Sequence, residues 1–280
     1  MKIVKPIDMK KLITLALAAT MLAACGQKKD APKVLVLYYS QTSNTKVVAD
    51  EIANRLGADI AAIEAVEPYD GDFHATIERC MKERELEVLP DIQPLTVDLA
   101  KYDIIFLGYP VWFGTYAPPV ATFLTQTDLS GKTIVPFSTF GSGGLESSMN
   151  DLTKIQPNAD IRPGYGVRAA RLQTVPQEVE RFLIAGGFIE GELEPLAEFP
   201  EQHPVNEAET AIFDAAVDGY PMLHAKAVTV ASRAGYDGME YVFVAEDLPR
   251  EGAPEMPKHE VQVYVLVADG QAPVFTKVVR

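Results

Sequence analysis

Cations are scarce in this 280-residue chain: 25 lysines and arginines stand against 39 aspartates and glutamates, a formal net charge of −14 at pH 7. That balance argues against nucleic acid or an acidic membrane surface as partner, and favours a basic protein or a neutral small molecule. Cysteine is scarcer, with only Cys25 and Cys80. The four histidines, His74, His203, His224 and His259, are scattered across helix, linker and loop segments, which argues against a zinc site. Internal repeats and low-complexity tracts are missing.

What is present at the start is a targeting signal. Lys2, Lys5, Lys10 and Lys11 precede the apolar run 12–19, and Leu22-Ala-Ala-Cys25 follows, the layout of a bacterial secretion signal. The apolar run is too short to span a bilayer core of about 30 Å. Met9-Lys-Lys-Leu would itself make an ordinary signal start, so residues 1–8 read as an upstream extension. The end of the signal resembles a lipobox. That resemblance implies cleavage after residue 24 and lipidation of Cys25, with the protein held in the bacterial cell envelope, on the periplasmic or extracellular face, by lipid alone. Loss of four lysines and Asp8 with the signal leaves the mature chain near −17. With Cys25 given to lipid, Cys80 has no partner for a disulfide, so stability has to come from packing. Cys80 sits in a helix-like pattern and reads as a buried structural thiol.

After a short charged tether, 25–31, the chain alternates two kinds of segment. Residues 34–39, 60–64, 104–109 and 134–138 are short apolar runs of the kind that fill a parallel sheet buried on both faces, with a last strand near 164–168. Helical periodicity occupies 46–56, 73–83, 120–129, 145–155 and 177–185. Five such units predict an α/β fold, a doubly wound five-stranded parallel sheet over 32–189. Ligands of such sheets bind beyond the carboxyl ends of the strands, where the order reverses, so the loops after strands one, three and four should converge.

Those three loops have unusual compositions. The first, Ser40-Gln-Thr-Ser-Asn-Thr45, gathers hydroxyl, amide and backbone N–H donors at a helix N-terminus, where unpaired amides and the macrodipole favour an anion. It has neither the Gly-Lys-Thr ending of a nucleoside-triphosphate loop nor three spaced glycines, which leaves a mononucleotide phosphate as its natural guest. The second, Gly108-Tyr-Pro-Val-Trp-Phe-Gly114-Thr-Tyr, holds the only tryptophan of the chain between stiff turns and offers a stacking face for a flat ring. The third, Ser138-Thr-Phe-Gly-Ser-Gly-Gly144, offers main-chain N–H groups with little bulk around them.

Together the three loops resemble the flavodoxin family, in the branch whose middle loop reads Gly-x-Pro-x-Trp-Trp/Phe-Gly-Thr and whose later loop reads Thr-x-Gly-x-Gly-Gly. At Ser43 the family usually has glycine. The resemblance implies a strand order 2-1-3-4-5 and FMN as cofactor. Its phosphate would be held by Ser40, Gln41, Thr42, Ser43, Asn44 and Thr45. Pro110, Val111, Trp112, Phe113 and Gly114 would flank the isoalloxazine, with Trp112 stacked on it. Ser138, Thr139, Phe140, Gly141, Gly143 and Gly144 would close over its far edge. No side chain would act as catalyst, since the flavin carries the redox chemistry. An acidic surface and an apolar sandwich predict a low-potential one-electron carrier serving redox proteins of the envelope. The alternatives on the same fold are an FMN-dependent NAD(P)H:quinone or nitro reductase, and a flavin-free binding module. Lys46 is the only cation adjoining the phosphate loop, which favours the carrier.

Residues 190–204 are rich in proline and acid and read as an extended linker. Beyond it, 206–217 has an N-cap and helical spacing, and 225–232, 239–245, 260–267 and 274–279 alternate as strands with one wet face. Asp237-Gly238 and Asp269-Gly270 are hairpin signals. This helix-plus-meander pattern over 205–280 resembles the cystatin fold in topology alone, because the Gln-x-Val-x-Gly loop of the inhibitors is missing. A docking or dimerising module is the expectation.

Overall fold

The computed structural model describes residues 31–69, 72–220, 223–248 and 260–279. The expected secretion signal, the lipobox with Cys25, and His259 lie outside the described residues. Lys33–Arg280 forms one compact unit containing two sheets.

The first sheet is parallel. β1 (Val34–Tyr38) lies between β2 (Asp59–Ala62) and β3 (Ile104–Trp112). A short β4 (Thr115–Tyr116) folds back on β3, whose other neighbour is β5 (Thr133–Phe140). β5 is bordered by β6 (Asp160–Ile161) and β7 (Tyr165–Arg168), the two halves of an interrupted fifth strand. With the short β4 left uncounted, the parallel strands run β2-β1-β3-β5-β6/β7, which is the expected order 2-1-3-4-5. Pro136 explains the interruption. Arg162 donates its N–H to the carbonyl of Ile134, so Ile134 and, two residues on, Pro136 turn their backbone toward the fifth strand. Proline has no N–H to offer there, and the strand opens around Pro163-Gly164 before pairing again at Tyr165.

Alternation along the strands divides the core. Leu35, Leu37, Ile105, Leu107 and Tyr109 pack on one face with α2 (Phe73–Glu85), α3 (Pro118–Gln126) and α4 (Leu145–Ile155). Val36, Tyr38, Phe106, Val135 and Phe137 pack on the other with α1 (Asn44–Leu56) and α5 (Val175–Ala185). Gly108 is required by this arrangement, since a Cβ there would meet the Phe137 ring at 2.2 Å. Cys80 is buried under α2, and burial pushes its thiol up to about 11.

The second sheet is antiparallel. Helix α6 (Glu207–Val217) opens with a capping box between Asn206 and Glu209. β9 (Ala225–Ala234), β10 (Met239–Asp247), β11 (Glu260–Val267) and β12 (Val274–Val279) make the expected meander. β8 (His203–Pro204) adds a fifth strand within the stretch read as linker. Phe213 of α6 meets Phe243, Val263, Val265, Phe275 and Val278 in a separate core. Phe275 and Val278 share that core although three residues apart, because a bulge between them restores the alternation.

Two expectations need correction here. The linker is extended but not free: Arg233 donates to the carbonyl of Ala197, Tyr236 to that of Glu194, and Phe199 lies under the Arg233 guanidinium. The face of the second sheet expected to be wet is in part covered. Glu240, Tyr264 and Leu266 of that face line a cleft of about 520 Å³ shared with the linker and α5. Alternation reports which face avoids the sheet's own core, not whether another segment covers it.

Candidate functional site

The carboxyl ends of β1, β3 and β5 do converge. The hydroxyls of Thr45 and Thr139 lie 2.8 Å apart, both buried, and tie the first loop to the third. Ser147 at the start of α4 donates to the carbonyl of Gly114, and a Cβ on Gly144 would meet Val111 at 2.6 Å, which ties the third loop to the second.

At the first loop the chain turns from strand to helix through Ser43, which adopts the left-handed conformation at φ 65° and caps no helical N–H with its side chain. This is the conformation for which glycine is best suited. Lys46 donates its N–H to the Ser40 hydroxyl and Val47 to the Ser43 carbonyl. Among the described residues no acceptor takes the N–H groups of residues 41–45. Thr42 and Ser43 are exposed, so those donors lie at an open helix N-terminus. Two side chains of the loop are already engaged: Thr45 with Thr139, and Gln41, whose amide donates to the Tyr69 carbonyl and the Thr76 hydroxyl. Their contribution to a ligand is confined to the main chain. Lys46 is paired with Asp50 at 2.6 Å.

The second loop is a two-residue hairpin between β3 and β4, with Phe113 at φ 53° and Gly114 at φ 84°. Both values fit the type I′ turn that matches strand twist. Phenylalanine is an outlier in that region, and the ring is left half exposed at the hairpin tip with Arg84 near its face. Trp112 is not a free plate. Its ring meets Tyr69 at 5.2 Å and Tyr39 at 5.9 Å, both edge to face, and is partly buried. Burial raises the Tyr39 phenol, and it pushes Tyr109 beneath the loop up to about 12, so both stay neutral.

In the third loop the glycines have partners within the chain. A Cβ on Gly141 would stand 3.3 Å from the Tyr220 hydroxyl, and one on Gly143 would collide with the carbonyl of Val278 at 2.2 Å. Gly144 has φ 107°. The sequence reading gave these glycines to a ligand; each also admits a part of the protein. Yet the loop's contacts use its carbonyls. Arg168 donates to Gly141, Val278 to Ser142, and Ser148 to Gly144, while no acceptor among the described residues takes the N–H groups of residues 141–144. Among the described residues the buried Ser138 hydroxyl has no partner; it lies next to Gly166, inside the sheet. Two sets of unpaired backbone donors and an exposed ring therefore stand at the strand ends. That inventory fits a ligand with a phosphate, a flat ring and acceptors along one edge.

Sequence reasoning missed Tyr39, Tyr69 and Arg168. The sequence places Tyr39 at the end of the first strand, 34–39, but does not foretell its ring contact with Trp112. Nothing in the local sequence around Arg168 reports that it faces a strand more than a hundred residues away. The 520 Å³ cleft lies apart from these loops, and its charges are satisfied internally by Arg171–Glu178, Arg181–Asp237 and Arg233–Glu240 pairs. Among the described residues no cluster of His, Cys, Asp and Glu could hold a metal, and no helix is long and apolar enough to cross a membrane.

Among solved structures, the chain is 27% identical to a protein named as a flavoprotein from Bacteroides eggerthii, with 55% of this chain and 98% of that one covered at a TM-score of 0.49. It is 27% identical to another so named from Bacteroides uniformis, covering 54% and 99% at 0.48. A flavoprotein from Lactobacillus acidophilus, solved in complex with FMN, is 23% identical over 54% of this chain and 98% of that one, at 0.46. The family model described as flavodoxin matches residues 33–179, which takes in all three strand-end loops and stops within α5. On that match, joined to a parallel sheet of order 2-1-3-4-5, the chain belongs to the flavodoxin family.

Proposed function

We propose that the three loops hold FMN and that the protein is a low-potential, one-electron carrier of the bacterial cell envelope. The observation that carries this reading is the run of unpaired N–H groups over residues 41–45 at the N-terminus of α1. Those amides, with the Ser40 and Thr42 side chains, would hold the phosphate without a cation. The hairpin would cover the ring system, with Trp112 braced by Tyr39 and Tyr69 and the exposed Phe113 beside it. The free N–H groups of residues 141–144 would meet the acceptors of the ring's far edge. Bound FMN supplies the electron transfer; the chain's residues orient it and exclude water from it.

A net charge of −14 works against placing a further negative charge on a bound ring, which supports a low potential and a basic protein partner. The Leu22-Ala-Ala-Cys25 ending supports anchorage through lipid on Cys25. The test is to add FMN to the purified protein, remove the excess and record the visible spectrum, then supply NADPH and a quinone. A retained flavin band with no NADPH oxidation supports the carrier. Rapid oxidation by the protein alone would mean a reductase, and a colourless protein would mean a flavin-free module. A thioether-linked lipid on Cys25 in the mass spectrum of the membrane fraction checks the anchor.

A further inference from the structure

The family match ends at residue 179, yet the described residues beyond it reach back to the third loop. β12 is the edge strand of the second sheet, and its outer side meets the third loop at Val278. Val278 donates its N–H to the Ser142 carbonyl at 2.6 Å, and its own carbonyl fills the space that a Cβ on Gly143 would need. Lys277 pairs with Glu146 at 2.6 Å, in the first turn of α4. From the first sheet, Arg168 donates to the Gly141 carbonyl at 2.7 Å and to the Phe275 carbonyl at 3.0 Å, with its guanidinium 3.4 Å above the Phe275 ring. Among the described residues no carboxylate pairs with Arg168, and the hydrogen bonds it makes go to these two carbonyls.

The hydrogen bonds made to residues 141 and 142 fall on one kind of atom. They take the carbonyls of Gly141 and Ser142 and leave the N–H groups of the same loop free. A strand that blocked the crevice would use the donors that a ligand needs. One that holds the loop open uses the acceptors, as β12 does.

We propose that the second sheet is a clamp on the third loop, with Arg168, Lys277 and the Val278 backbone as positioning groups that keep the N–H groups of residues 141–144 aimed at the ligand. The clamp rests on the FMN reading for its ligand but not for its mechanics. A loop whose carbonyls are fixed in advance loses less entropy on binding, so folding of the second sheet and FMN affinity are coupled, and the coupling is reciprocal.

Amide hydrogen exchange on the full ligand-free chain reads the clamp without flavin. The proposal expects the amides that donate to the loop's carbonyls, Val278 to Ser142 and Ser148 to Gly144, to be protected in the wild type and to exchange at least tenfold faster in Arg168→Gln and in Lys277→Glu, with the amides of β1 and β3 unchanged as internal reference. Arg168→Lys, which keeps one donor and the charge, should recover part of the protection. FMN titrations of the same proteins should show affinity falling about tenfold in Arg168→Gln, about 1.4 kcal/mol, with partial rescue by Arg168→Lys. Should Arg168→Gln unfold the protein, Lys277→Glu decides alone, because its pair lies at the surface and is partly exposed. Unchanged exchange of the Val278 and Ser148 amides in both variants overturns the clamp. So does tighter FMN binding in either, which would make β12 an inhibitory cap. A wild type that binds no FMN removes the proposed function, while the exchange comparison still decides the mechanics.

Discussion

Ser43 is the residue at which local geometry and sequence are most at odds. It stands at φ 65° where the family usually has glycine, so relief of the left-handed strain should outweigh the added freedom of glycine in the unfolded chain. Ser43→Gly is expected to stabilise the protein by roughly 0.5–1 kcal/mol, read as a higher urea midpoint with an unchanged slope. A lower midpoint would mean that the serine hydroxyl makes up for its backbone. Cys80 tests burial. With its thiol pushed up to about 11, it should resist a disulfide reagent at neutral pH in the folded protein and react once urea is added. The residues also show where sequence reasoning stops. The donors of loop one were legible because strand, polar run and helix are contiguous. Gly143 was legible as a close approach, but the approaching atom, the carbonyl of Val278, is 135 residues away in the sequence and leaves no local trace.

At the scale of elements, the sheet and its helices follow from periodicity, and the departures have particular causes. The fifth strand is split because Pro136 withholds a donor on that side, which a strand-by-strand reading does not weigh. β4 escaped notice because two residues carry no period, and the hairpin that it closes lacks the Asn-Gly signature of a type I′ turn. That hairpin carries a prediction. Phe113→Asn supplies the residue that the turn prefers and should raise stability by about 1 kcal/mol while weakening FMN binding. Trp112→Ala removes edge contacts with Tyr39 and Tyr69 and should lower both stability, by roughly 1–3 kcal/mol, and FMN affinity. Thermal melts beside flavin-fluorescence titrations separate the two. If Phe113→Asn leaves FMN affinity untouched, its exposed ring takes no part in the site.

At the scale of the molecule, the two sheets share contacts that titrate. Burial alone would raise the Glu146 carboxyl, but the hydrogen bond from Lys277, one from its own backbone N–H and the Lys277 charge outweigh it and hold the group below its usual range. A depressed carboxylate contributes stability above its unfolded pKa and loses it as pH falls through the folded value. Stability should therefore drop on acidification from about pH 6 to about pH 3, and drop less steeply in Lys277→Met; parallel profiles would leave the pair with no share in joining the sheets. The acidic surface, the two sheets and the linker tied along one of them all serve the crevice at the ends of β1, β3 and β5 in this account. The crevice is expected to grip a flavin by its phosphate, and titration of the full chain with FMN and with riboflavin, followed by flavin fluorescence, reads that grip. Stoichiometric quenching by FMN is expected, with riboflavin bound about 100-fold more weakly, near 3 kcal/mol. Equal affinities, or no binding of either, would contradict it.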